Sequence, residues 1–409
     1  MDKPVGKRRY TDLQLLNNGR LRVSLTAPQR RFDGLGFYLP TLAVAITLVS
    51  CHSGPLPDRT SGNSQSPGWT VAINPQFSWA ADFSEGLAAV RVGGGDGGKW
   101  GFIDKQGKFA INPQFGGLWE FSEGLAAVRL GGDGSNWGFI DKQGKIVIRP
   151  QFESIWPWRF QEGLAAVEIG DDQTGKWGFI DHQGNFVVHP QFDYSYAFSE
   201  GLAKVGIGRD LRRWGFIDKQ GKFIVNPQFD DATDFREGLA AVRIGGWTTG
   251  KCGYIDKQGK FVVNPQFDDA REFGEGLAPV RVGGLETGKY GFINRQGELV
   301  INPQFEMAWP FEQGLAMVRV GGKYGFIDKQ GKFVVAPQFD GVWLGSFKQG
   351  LASVRIGDDK TGKWGFIDKR GKFAINPRFD AAFVVSEGLA AVRVGDSKTG
   401  QWGYISPTQ

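Results

Sequence analysis

Four stretches of the chain have the glycine and lysine spacing from which a phosphate-binding loop is built: GGGDGGK (93–99), GDDQTGK (170–176), GGLETGK (283–289) and GDDKTGK (357–363). Such a loop needs a Ser or Thr after the Lys and a helix starting there to aim its N–H groups at phosphate. Here a Trp or Tyr follows and a strand-like run begins, so hairpin tips are predicted instead. The same Gly/Asp tips come once per repeat, too sparsely for calcium-binding nonapeptides. His52, His182 and His189 recur at no metal-ligand spacing, and no Ser-His-Asp or Cys-His pair is evident. Cys252 replaces a Trp and reads as a small core residue. Glu85, Glu123, Glu162 and their counterparts recur once per unit, as turn-stabilising residues do, and no pair stands out as the two carboxylates of a glycosidase. No catalytic residue, metal or cofactor is nominated, and the chain is expected not to be an enzyme.

The remaining candidates are aromatic. Four residues after a recurring Phe stand Trp119, Trp156, Tyr196, Trp309, Trp343 and Phe383, while Ala81, Thr233 and Arg271 interrupt the series. Flat rings stack on sugars and anchor protein interfaces, so these six form a candidate binding strip. The competing structural reading is that each ring plugs its link onto the sheet below.

Repeated elements must position these residues. KWGFIDKQGKFAINPQF (99–115) returns nearly unchanged at 136–152, 176–192 and 213–229. Its aromatic-Gly mark runs from Trp100 to Trp402 in eight steps of about 38 residues, with Cys252, Tyr290 and Tyr324 at three of them. Each unit reads as three short strands: an alternating GLAAVRVG, then WGFID, then KFAIN or KFVVN stopped by Pro. DKQG between the last two has Asp first and Gly fourth, the pattern of a type I turn whose Gly takes positive φ. The run KFVVN needs cover on both faces, which only a neighbouring copy can supply. With 62 Gly and 13% aromatics, the chain is expected to be all-β.

These motifs resemble the WG-repeat family of bacterial proteins over residues 69–405. The resemblance implies β-rich tandem repeats, often exported, and no general activity. The predicted architecture is nine three-stranded antiparallel units stacked as an open curved solenoid. A closed propeller-like ring is the alternative: residues 70–74 lack a WG strand and 402–405 lack a returning strand, so the two halves could pair. Nine exceeds the usual four to eight blades, which favours the open form.

The N-terminus reads as an address. Residues 1–50 are expected to be a signal peptide with a long basic region, and LVSC ends on Cys51 as a lipidated cysteine would. Residues 51–68 would be a Ser/Pro/Gly-rich tether and 406–409 a tail. Residues 1–50 hold eight Lys/Arg against three Asp, the entire net charge of +5, so the remainder is balanced. A neutral body has no bias towards polyanions, and no nucleic-acid partner is expected. The sequence therefore leads to an exported, membrane-tethered protein presenting an extended surface to an unknown protein or glycan partner in the cell envelope. A glycan-binding or glycan-acting envelope protein is the alternative.

Overall fold

The computed structural model describes residues 15–16, 20–21 and 68–407, apart from 95–96, 133, 157–158, 172–173, 210–211 and 344–346. The chain divides into two units, Met1–Ser66 and Pro67–Gln409. In the first, Leu15–Leu16 pairs antiparallel with Arg20–Leu21. Cys51, the rest of the expected signal peptide and the tether up to residue 67 lie outside the described residues.

The second unit consists of nine four-stranded antiparallel sheets. The first contains Trp79–Ser84, Leu87–Val92, Lys99–Ile103 and Phe109–Phe115. Counting from it as blade 1, blade 9 contains Ala381–Ser386, Leu389–Val394 and Gln401–Pro407. Its fourth strand is Trp69–Phe77, which precedes blade 1 in the chain. Trp69 faces Pro407, Ile73 faces Tyr404 and Phe77 faces Trp402. This pairing closes the array into a nine-bladed propeller.

Two expectations are corrected by this arrangement. The units are four-stranded, because the link before each EGLA is extended and pairs with the strand after it. In blade 1 Trp79 faces Arg91, and Ser84 faces Leu87. The array is also closed, not an open solenoid. The half units at the two ends satisfy each other's unpaired edges, and the last strand reaches Pro407, past the expected repeat boundary at 405.

The core lies between blades. Ala89, Phe102, Ile111 and Phe115 of blade 1 share one buried cluster with Phe121, Ala126, Val128 and Ile140 of blade 2. At the closure, Ile73, Phe77, Trp402 and Tyr404 pack with Ala80, Phe83 and Val90 of blade 1. A blade by itself would leave both faces exposed, so repetition supplies each one with a core.

The repeated letters have local reasons. A Cβ on Gly101 would lie 2.6 Å from Ile111 O and 2.7 Å from Pro113 N, and the other WG glycines make the same close approach. There the outer strand bulges: Phe102 pairs with Ile111, but Trp100 pairs with Phe115. In the DKQG turn Gly107 N–H donates to Asp104 O at 2.9 Å with φ +79°, and Asp104 Oδ1 accepts from Gln106 and Lys108 N–H. The predicted turn is present.

The Glu-Gly turn before each LAAV strand places Glu, or Gln in two units, at φ between 49° and 55°. That region is unfavourable for a residue with a Cβ unless something compensates. Here the Glu carboxylate reaches the next blade. Glu85 accepts from Gly124 N–H and pairs with Lys142, while Glu387 of blade 9 accepts from Gly86 N–H and pairs with Lys105 of blade 1. The inner strands are joined as well: Ser84 Oγ donates to Phe121 O, and Ser386 Oγ donates to Phe83 O across the closure.

Candidate functional site

All six strip residues lie on the innermost strand or its continuation, in blades 2, 3, 4, 7, 8 and 9. Their backbones are fixed by the neighbouring strand: Trp119 N–H donates to Ala127 O at 2.9 Å and Trp309 N–H to Met317 O at 3.0 Å. Phe383 is buried, whereas the other five are half-buried, each packed on the core at a blade junction. Each ring therefore plugs its link, as the structural reading has it, and five of them keep part of their surface open.

The structure brings some of these rings together. Trp343 and Phe383 have centroids 4.7 Å apart, and Trp156 meets Tyr196 edge-on at 6.0 Å. Trp309 instead lies beside Tyr324 and under the Arg271 guanidinium, 4.9 Å from its ring. Trp79, not nominated from sequence, sits 5.8 Å from Phe383 and is 42% exposed. It stands two residues after Phe77, not four, so a fixed offset misses it. An alternating strand places both offsets on one face, and that was the available signal.

Polar groups on the same strands also escaped the sequence reading. Asp82 and Glu120 occupy matching places in blades 1 and 2, and Asp234 and Glu272 in blades 5 and 6. Burial, reinforced by the Glu120 charge, pushes Asp82 up to about 7. Desolvation also raises Glu120, with Arg159 opposing it, although the Glu120 side chain is open to solvent. That combination fits a carboxyl lining a confined, water-accessible space.

Lys204 is buried in the second strand of blade 4. Its Nζ donates to Ala232 O at 2.7 Å and lies 3.8 Å from the centroid of the Tyr196 ring. Burial lowers its pKa, opposed by Asp234, Asp231 and Glu272. Cys252 is buried too, and desolvation pushes its thiol up to about 12, so it is a thiol and not a thiolate nucleophile.

Each phosphate-loop look-alike joins two paired strands, with Val92 facing Lys99, Ile169 facing Lys176 and Val282 facing Lys289. Ile356 pairs with Lys363 across GDDKTG, and Asp358 caps the tip by accepting from Lys360 and Thr361 N–H. His182 stands in the place of a turn Lys and pairs with Glu123 of the preceding blade. Among the described residues no group of His, Cys, Asp and Glu is arranged to hold a metal ion, and no helix is long and apolar enough to cross a membrane.

Several solved structures resemble the chain at low identity and low TM-score. The β-propeller domain of the Trilobed protease from Pyrococcus furiosus is 9% identical with a TM-score of 0.34, covering 62% of this chain and 94% of that one. The acylaminoacyl peptidase of Pyrococcus horikoshii is 10% identical with a TM-score of 0.34, covering 73% of this chain and 57% of that one. A puromycin hydrolase is 11% identical with a TM-score of 0.38, covering 80% and 58%. No curated protein matches the chain. The WG containing repeat matches nine times, at residues 70–95, 100–132, 137–171, 177–208, 214–246, 253–285, 290–324, 324–360 and 364–397. With its aromatic-Gly strands and glycine-bulge pairing recurring around the whole ring, the chain belongs to the WG containing repeat family.

Proposed function

We propose that this protein binds a partner through the inner strands of its ring, acting as a binding or scaffold protein and not as an enzyme. The observation that supports this most is the set of rings left half-open there, at Trp119, Trp156, Tyr196, Trp309 and Trp343, with Trp79 beside them. Aromatic surface held partly open by a rigid strand can anchor a ligand at little entropic cost. The recurring carboxylates are engaged in structure: Glu85, Glu200, Glu275 and Glu387 each accept an N–H from the next blade. A glycan is the second reading for the partner, because the same rings offer faces for sugar stacking.

The ligand reading is tested by Trp119→Ala and Trp156→Ala, assayed against a glycan panel and candidate envelope proteins. Each is expected to weaken binding at least tenfold while costing about 2 kcal/mol of stability, roughly half the penalty of truncating a fully buried Trp. Phe160→Ala, which empties a fully buried place in the same cluster as Trp119, should cost about 3–5 kcal/mol. Equal destabilisation by all three, with binding intact, would reduce the strip to core plugs.

We further propose that the chain is exported and held at a membrane by lipid on Cys51, the reading that LVSC and the following Ser/Pro/Gly stretch support. Cys51→Ser should abolish metabolic labelling with a fatty acid and release the protein from the membrane fraction. Retention without label would point to an uncleaved anchor.

A further inference from the structure

One blade departs from the other eight at a buried position. The third residue of the LAAV strand is Ala, Pro, Met or Ser in eight blades and Lys204 in blade 4. The Lys204 ammonium sits in a cage. Tyr196 of the inner strand gives a ring face 3.8 Å away, Trp214 of the third strand lies 4.9 Å away, and Ala232 O of blade 5 accepts its hydrogen bond. Asp234 of blade 5 supplies the opposing charge: burial raises its pKa, and Lys204 pulls it back down. A cation between π faces with a carboxylate nearby is well compensated for its lost water.

The ingredients are a ring at the strip position, a ring at the WG position and a carboxylate at the place of Asp234 on the next blade. They coincide at one other junction, between blades 9 and 1, where they are Phe383, Trp402 and Asp82. Elsewhere at least one is missing: Glu120 follows Ala81, Glu272 follows Thr233 and Cys252, and Val384 follows Trp343. The rings of Phe383 and Trp402 lie 4.6 Å apart, and exposed Trp79 sits 5.4 Å from Trp402, so the cluster borders solvent.

At this second junction the place of Lys204 holds no cation, and the Arg393 guanidinium, which pairs across the strands with Trp402, lies 5.7 Å from its ring centroid. Ala391 stands in the place of Lys204, facing Tyr404 across the strands as Lys204 faces Phe216. The Tyr404 hydroxyl donates to Ala81 O. Asp82 Oδ1 is buried without a hydrogen-bond partner, which costs free energy unless something else satisfies it. Asp234 Oδ1 also lacks a hydrogen bond, but there the Lys204 charge compensates.

We propose that the junction between blades 9 and 1 binds a primary ammonium group from outside the chain beside Asp82, in the place that Lys204 fills between blades 4 and 5. This rests on the reading of the inner strands as a binding surface and names the ligand chemistry at one place on it. A small aliphatic amine and the side chain of a lysine offer the same group. The pH dependence follows from Asp82, which faces Glu120 of blade 2 and Tyr404 of blade 9. The cation favours the ionised carboxylate, so binding should be full above the Asp82 pKa of about 7 and weaken as pH falls below it.

The test is calorimetric titration of the full chain at about pH 8 with n-pentylamine, with Nα-acetyl-lysine methylamide and with 1-pentanol as the uncharged control. One amine site per chain is expected, with pentanol at least tenfold weaker. Asp82→Asn should weaken the amine at least tenfold, and Ala391→Lys should abolish binding by placing the chain's own ammonium in the cage. Lys204→Ala should open the second cage and raise the stoichiometry from one to two. Lys204→Met, which copies the residue at the same place in blade 7, guards against misfolding of the alanine variant. Tight binding of both amines would assign the bare ammonium, and preference for the lysine derivative would assign a protein side chain. No binding of either amine, equal binding by Asp82→Asn, or an unchanged stoichiometry in both folded Lys204 variants would overturn the site. Because the Trp119 and Trp156 variants test the wider strip separately, its binding could persist while the amine site failed.

Discussion

A chain that begins at Ser78 is expected to lose its sharp thermal transition, whereas one that begins at residue 52 should keep it. The difference is the strand Trp69–Phe77, which supplies the outer edge of blade 9. Its removal takes Ile73 and Phe77 out of the core they share with Trp402 and Tyr404, and leaves Gln401–Pro407 without a partner. Truncating a buried Ile costs about 2–5 kcal/mol and a buried Phe about 3–5 kcal/mol. Together these rival the roughly 5–15 kcal/mol that holds a typical native domain. Calorimetry and gel filtration would read the result as a broad, lower-melting transition and a larger or aggregated particle. An unchanged melt would mean that the ring does not depend on its closure.

Gly291→Ala is expected to be the most damaging one-methyl change among the WG glycines of the ring. A Cβ there would lie 2.3 Å from Ile301 O and 2.7 Å from Pro303 N, both backbone atoms of the paired outer strand. Neither can move without breaking the bulge that lets Tyr290 face Phe305. The cost should be about 3 kcal/mol, at the upper end of what overpacking a filled core exacts. Gly284→Ala in the same blade is the control, since its Cβ would meet only Thr287 Oγ1 at 3.9 Å. Chemical denaturation of the two variants should separate them by at least about 2 kcal/mol. Equal stability would show that the WG glycine is not required by close approach.

These comparisons explain which parts of the molecule were legible in the sequence. The outer three strands of each blade and the DKQG turn were readable, because alternation, Pro and Gly mark them locally. The inner strand was not. The turn that creates it places Glu at positive φ, where a sequence reader expects Asn or Gly. Its regular part is also as short as Gly117–Leu118 in blade 2. The complementary half units at 70–74 and 402–405 are visible in the sequence as well, but the usual count of four to eight blades argues against closure. The register of Ile73 on Tyr404 shows that edge pairing decides the matter.

For the site, the strip positions could be found by their fixed offset from Phe, whereas Trp79, Asp82 and Lys204 could not. A single departure among nine copies looks like drift until the fold shows its surroundings. Phe383 and Trp402 meet blade 1, the blade that carries Asp82, only because the ring closes between the last blade and the first.

That same closure sets a timetable for the molecule's birth. The strand Trp69–Phe77 is among the earliest parts of the ring to be made, yet its partner Gln401–Pro407 is the last. At about 5–20 residues per second, a ribosome needs on the order of half a minute between the two. Throughout that interval the nascent chain carries a hydrophobic strand with a free hydrogen-bonding edge, the feature that invites pairing with the wrong chain. Completion of the native fold must therefore wait until Gln401–Pro407 has been made, and a holdase that shields the first strand would raise the yield of folded protein.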